Sequence, residues 1–361
     1  LGLMGAALAL ESRGRRIATS AIEHHAVHGA AGLLDDAGKP LPFVDKLVDD
    51  IVIEDQPAWL NFKQGAHDYL SRISKDNVGD VFDSEHKPKK ALVDEGIEAQ
   101  TTPGIWFNYI GFNMEDPVVG GAKNRFLRQA MAMALDEGPM IERFYLGLAT
   151  RAETPIPPGI AGFDPKYRNP SREYNLVKAR ELLAKAGHPN GDGIPELVFD
   201  TKSDTTYRQL GDYFQHTMSA LGLNVRVNQS SWPELLARIR RKQAQIFSAS
   251  WQYDYPDAEN GWQLLYGKNE SPGPNEANYK NPRMDALYEK MASMPDGPAR
   301  VALFEKMRDI FAEDVPWIIT VNQMETRMTH SWVRNLKIHC FEHDVDKYLR
   351  VDVDARAKAL Q

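Results

Sequence analysis

The sequence predicts an α/β protein built in two parts, and three features of the chain point there. At 361 residues it exceeds what one hydrophobic core usually organises. Between Leu197 and Trp251, strand runs and helical stripes alternate as a β-α-β-α-β succession. Two aromatic or β-branched runs, Ile105–Asn113 and Val315–Asn322, bracket that block.

Composition narrows the class. Hydrophobic residues make up 42% of the chain and tryptophan occurs seven times, as in a soluble, well-packed protein. A formal net charge of −7 and the lack of a basic run argue against a nucleic-acid surface. No apolar run reaches transmembrane length. The single cysteine, Cys340, excludes an internal disulfide; that suits a reducing compartment, and equally an exported protein with an adequate core. Leu1–Leu10 is similar to a signal-peptide apolar region, without a basic segment before it or a clean cleavage site after it. The chain starts on leucine and reads as a fragment or a processed form.

In chain order, residues 1–45 are weakly patterned, with a short helix over Ala30–Asp36. His24 and His28 share a face if helical and invite, with His25, a metal reading. No acid–cysteine framework surrounds them, and surface or packing roles fit them better. Lys46–Glu54 has the β-branched alternation of a strand. Gln56–Gly65 reads as a short helix with Pro57 in its first turn, followed by a strand over His67–Leu70 and a polar loop over Asp76–Pro88. Phe126, Leu127, Ala130, Met131, Ala134 and Leu135 stripe a helix, with Arg125, Arg128 and Asp136 off the stripe. A second helix runs from Pro139 to a stop at Gly147, and Thr154–Gly159 is a rigid proline connector.

Asn175 caps a helix closed by Gly187; Tyr207–Leu221 stripes another, ended by Gly222. Ser231 and Glu234 have capping-box spacing. Strands over Leu197–Phe199, Leu223–Val227 and Gln245–Trp251 complete the succession, which builds parallel pairing through right-handed crossovers. Ligands of such sheets sit beyond the strands' carboxyl ends. Amphipathic helices follow over Arg283–Met291 and Pro298–Glu313, then one buried strand over Val315–Asn322, and a polar tail from Asp352.

The stretch beyond the last parallel strand carries the functional reading. In Phe247–Tyr266 the strand breaks where Asp254 stands between Tyr253 and Tyr255, and Pro256 bars further sheet. A carboxylate among aromatic faces on irregular backbone is how a pocket holds a cationic or polar group. The residues alone serve a plainer reading equally well: Asp254 and Asp257 as turn formers and Trp251 as core. The position at a parallel strand's carboxyl end favours the pocket.

The Trp251-x-x-Asp254-Tyr255 turn resembles the cleft signature of the bacterial family-five solute-binding proteins, the extracytoplasmic peptide-binding components of ABC transporters. Arg128-Gln129-Ala130, Leu135-Asp136 and Pro155-Ile156-Pro157-Pro158-Gly159 extend the resemblance in order, and Gly65-x-x-Asp68 resembles a unit of the family's larger lobe. The resemblance spans residues 40–350. It implies a periplasmic-binding-protein-like two-lobe clamshell of type II, here incomplete at the front. Residues 1–104 would be part of the larger lobe, 105–320 the smaller lobe, and 321–361 a return segment and polar tail. Asp254 would face the interlobe cleft and accept the ligand's α-amino group, Trp251 would be a pocket wall, and Tyr253 or Tyr255 would frame the acid. Some family members carry an arginine on this strand for the ligand's far carboxylate; Ser248 stands there. Val315–Asn322 departs from the family's Ala-Pro-x-Ile-Pro pattern at Trp317 and Thr320.

The implied function is capture of peptides or related small solutes for a membrane permease, by a monomer in the periplasm or another extracytoplasmic space, without cofactor, metal or nucleic acid. Two alternatives compete. One is a binding-incompetent remnant, suggested by the short front. The other is a hydrolase using His24, His25 or His28, but no Gly-x-Ser-x-Gly elbow, His-Glu-x-x-His or phosphate loop occurs.

Overall fold

The computed structural model describes residues 43–361 except positions 53, 72, 74–76, 84, 85, 339, 340 and 342–347. Leu1–Leu10, the helix expected over Ala30–Asp36, the three histidines His24, His25 and His28, and Cys340 lie outside the described residues. The strands are β1 (Tyr69–Leu70), β2 (Ile97–Pro103), β3 (Trp106–Phe112), β4 (Ala149–Arg151), β5 (Leu197–Lys202), β6 (Val225–Ser230), β7 (Ile246–Gln252), β8 (Trp317–Ile319), β9 (Val321–His330), β10 (Val333–Arg334) and β11 (Arg350–Val351). The described chain divides into two compact units. One holds the residues before Pro103 together with Glu325–Gln361, and the other holds Pro103–Met324. The second division falls beyond the 320/321 boundary read from the sequence, because Val321, Asn322 and Gln323 ladder with β4.

The Pro103–Met324 unit is built on a five-stranded mixed sheet in the order β6-β5-β7-β3-β8. β5 runs parallel to β6 and β7, and β3 pairs antiparallel with β7 and β8. The helices Thr205–Ser219 and Trp232–Arg240 make the parallel crossovers. Their boundaries follow local chemistry: Asp204 accepts from the Tyr207 amide, Gly222 takes a φ of 77°, and Ser231 and Glu234 form a reciprocal capping box. On one sheet face Phe199 and Ile246 pack with Leu127, Met131, Phe214 and Met218. On the other, Tyr109 stacks on Trp317 at 4.3 Å, and Phe311 of the helix Pro298–Asp314 meets Trp317 edge-on.

Two readings change here. Arg128, expected off the buried stripe, is fully buried. Its guanidinium donates to the carbonyls of Val119 and Gly121 in a loop and of Asp314 and Val315 at the end of the helix Pro298–Asp314, where carbonyls lack helical partners. The strand expected over Val315–Asn322 is two strands, β8 and β9. They break at Thr320, whose amide and hydroxyl both donate to the Asn108 carbonyl.

In the other unit, β1 and β2 flank β9, with Leu70 opposite Met328, and β10 pairs with β11. The helix Asp55–Lys63 buries Trp59 and Phe62. His330 lies between Phe62 and Trp332, at 4.4 and 4.1 Å, and bonds the Phe62 carbonyl through Nε2. Burial lowers its pKa, the carbonyl opposing. Three expectations are corrected. Lys46–Val52 forms no strand, and Ile51 is 95% exposed; β-branched residues extend a chain but need a partner edge to become sheet. The loop expected over Asp76–Pro88 contains a helical turn, Val78–Val81, with both valines buried. The expected polar tail is a helix, Val353–Ala359, capped by Asp352 and tied to Asp68 by Arg356 at 2.6 Å.

Candidate functional site

β7 ends where the sequence breaks its pattern. The β3–β7 ladder runs as far as Trp106 opposite Gln252, and the Tyr253 amide still donates to the Ile105 carbonyl. From there the three consecutive residues Tyr253, Asp254 and Tyr255 separate. Tyr253 turns inward, 1% exposed, and donates its hydroxyl to the Pro155 carbonyl at 2.6 Å. Burial raises its pKa well above the usual phenol range, with the Asp257 charge adding to it. Gly261 permits this contact: a Cβ there would fall 2.3 Å from the Tyr253 oxygen and 2.5 Å from the Pro155 oxygen. Tyr255 is 38% exposed and donates to the Glu259 carboxylate, which also accepts from Tyr288. Partial burial, then that carboxylate, raises the Tyr255 pKa to about 12.

Asp254 is exposed, and a buried asparagine holds it. Asn260 Oδ1 accepts from the Trp251 indole nitrogen at 2.8 Å and from the Asp254 amide at 3.2 Å. Asn260 Nδ2 donates to Asp254 Oδ2 at 3.2 Å. Trp251 is half-buried. The turn therefore presents a carboxylate with one oxygen already bonded, beside an indole ring whose N–H is also engaged.

Asp257, read from the sequence chiefly as a turn former, does more. One oxygen accepts from the Glu259 amide at 2.8 Å, and the other accepts from Arg300 Nη1 at 2.7 Å. The Arg300 side chain is 6% exposed and is also held by Asp296 and the Met291 carbonyl. Ser248 is buried and shares a 2.8 Å hydrogen bond with Thr201. It lines a cavity of about 30 Å³ together with Asn108, Tyr145, Tyr207 and Thr320.

Trp251 and Asp254 are thus linked through Asn260, Tyr255 is exposed on the same turn, and Tyr253 belongs to the packing beneath it. Asn260, Glu259 and Arg300 escaped the sequence reading. The only signal for Asn260 is a polar residue between Ala258 and Trp262, which local spacing does not separate from an ordinary turn residue. Among the described residues, no group of three or more histidine, cysteine or acidic side chains is arranged to hold a metal ion. None of the described helices is long and apolar enough to cross a membrane.

A sequence profile of the bacterial extracellular solute-binding proteins, family 5, middle part, matches residues 31–273 and so includes the turn. The chain belongs to this family. Heme-binding protein A of Haemophilus influenzae is 25% identical over 277 residues, 76% of this chain and 48% of that protein. The glutathione-binding protein GsiB of Escherichia coli is 25% identical over 231 residues, 62% of this chain and 44% of that protein. The family-5 chain described here spans about half the length of these curated relatives. Its fold is that of the type II periplasmic binding proteins: the peptide-bound DppA of Helicobacter pylori superposes with a TM-score of 0.71 at 22% identity, over 83% of this chain and 56% of that one.

Proposed function

We propose that this family-5 protein captures peptides, or related small solutes with a free α-amino group, and delivers them to the membrane permease of an ABC importer. Asp254 accepts the ligand's ammonium group, Trp251 supplies a ring wall, and Tyr255 borders the acid. The observation that carries this reading is the Asp254 carboxylate, exposed at the carboxyl end of a strand and held beside the Trp251 ring by Asn260. A desolvated ammonium needs a fixed anion, and a charge-assisted hydrogen bond contributes about 1.5–3 kcal/mol net. The protein acts as a binding protein without catalysis, as a monomer, in a periplasmic or other extracytoplasmic space. The named relatives, a peptide-bound DppA and binding proteins for glutathione and heme, support transport binding as the shared role.

Heme capture is the second reading, favoured by the likeness to heme-binding protein A, which matches 76% of this chain. The turn chemistry distinguishes the two: an anionic residue suits an ammonium group and opposes the carboxylates of heme. Calorimetry of the intact protein with alanine peptides, their N-acetylated forms, glutathione and hemin tests this. Free-amino ligands are expected to bind, with acetylation or Asp254→Asn each weakening them about ten- to hundredfold. Equal affinity of wild type and Asp254→Asn for a free-amino peptide makes the acid structural and ends the proposal.

A further inference from the structure

We infer that Asn260 is the positioning residue of the ammonium site, a role that rests on the reading of Asp254 above and assigns what makes that acid selective. Asn260 is fully buried, yet its side chain bonds both Trp251 and Asp254, the two residues that would meet the ligand. An asparagine oxygen accepts two hydrogen bonds, and both are in use here, one from the Trp251 indole and one from the Asp254 amide. The amide nitrogen takes Asp254 Oδ2. Asn260 is itself fixed from the main chain: its amide donates to the Asp257 carbonyl at 3.0 Å, and its carbonyl accepts from Gln263 Nε2 at 3.3 Å.

Two consequences follow for the ligand. The first concerns geometry. With Oδ2 tied to Asn260, Asp254 offers Oδ1 in one orientation, so the acid is ordered before binding and that ordering is not charged against affinity. The second concerns chemistry. The Trp251 N–H points at Asn260, so the indole meets the ligand through its ring and not as a donor to a ligand carbonyl. The site therefore selects a primary ammonium next to an apolar or flat group. Asn260 touches no ligand; it acts through Asp254 and Trp251.

The experiment uses the intact protein and the tightest-binding member of an unmodified alanine series of two to five residues, with its N-acetylated form. The readout is the ratio of the two dissociation constants, which a general loss of stability does not change. Asn260→Leu is expected to lower that ratio about three- to tenfold, the range associated with immobilising one side chain. In an Asp254→Asn background the same change is expected to move it less than about twofold, since residues acting as one unit are non-additive. If Asn260→Leu does not fold, Asn260→Ser, which fits the same space and cannot span to Asp254, carries the same expectation. Retention of the wild-type ratio in the folded Asn260 variant, while Asp254→Asn abolishes it, overturns this inference alone. A ratio that Asp254→Asn leaves intact, or no binding of any free-amino peptide, overturns the underlying reading of the site instead.

Discussion

Asp254 and Asp257 stand three residues apart on the same turn and carry the same functional group, yet the protein uses them in opposite ways. Asp257 has both oxygens engaged from within, one by the Glu259 amide and one by the buried guanidinium of Arg300. Asp254 has one oxygen engaged by Asn260 and is exposed. The difference is one of partners, not of residue type. A carboxylate facing a buried cation is part of the fold, because removing it takes away part of that cation's counter-charge and leaves Arg300 to Asp296 alone. A carboxylate fixed by a neutral amide keeps its charge available to something outside. On the proposed reading Asp254 is the binding acid, while Asp257 anchors the turn to Arg300 on the helix Pro298–Asp314.

The sharpest way to break this comparison is to neutralise each acid. Asp254→Asn is expected to lower affinity for a free-amino peptide about ten- to hundredfold while leaving the thermal midpoint nearly unchanged. Asp257→Asn is expected to do the reverse: a loss of about 1–2 kcal/mol in denaturant unfolding, moderated because Asp296 and the Met291 carbonyl still hold Arg300, with a smaller change in affinity. If both variants lose affinity equally and neither loses stability, the division of labour is wrong.

Tyr253→Phe sharpens the boundary between site and scaffold. It removes the bond to the Pro155 carbonyl and is expected to cost about 1 kcal/mol of stability, leaving discrimination against N-acetyl peptides intact. A loss of that discrimination with unchanged stability would return Tyr253 to the ligand surface.

The smallest effect is a pH control drawn from the other unit. The folded-state pKa of His330 lies below its ordinary value of 6.5. Between the two values the unfolded chain binds more protons, so stability is present above the unfolded pKa and falls as pH drops through 6.5 toward the folded value. Denaturant midpoints from pH 8 to about pH 5 are expected to decline in wild type and to decline less in His330→Leu. Any acid-side loss of binding must be read against that slope before it is assigned to Asp254.

The sequence by itself determined the α/β class, the crossover helices with their caps and stops, and the acid placed just past the end of a parallel strand. Those are short-range matters of period, capping and proline chemistry, decided within a few residues of each position. It did not separate Tyr253 from Tyr255, which stand two residues apart in one aromatic run. The Pro155 carbonyl and the space above Gly261 assign the first to the core. It did not reveal that Asp257 serves Arg300, 43 residues away, or that Arg128 faces the carbonyls of Asp314 and Val315, 186 and 187 residues away. It read Lys46–Glu54 as a strand, and the described Lys46–Val52 forms none, because strand propensity describes a chain that awaits a partner. Tertiary structure alone decided which acid is anchored and which is offered, since a hydrogen-bond partner brought in from a distant segment leaves no local pattern in the chain it meets.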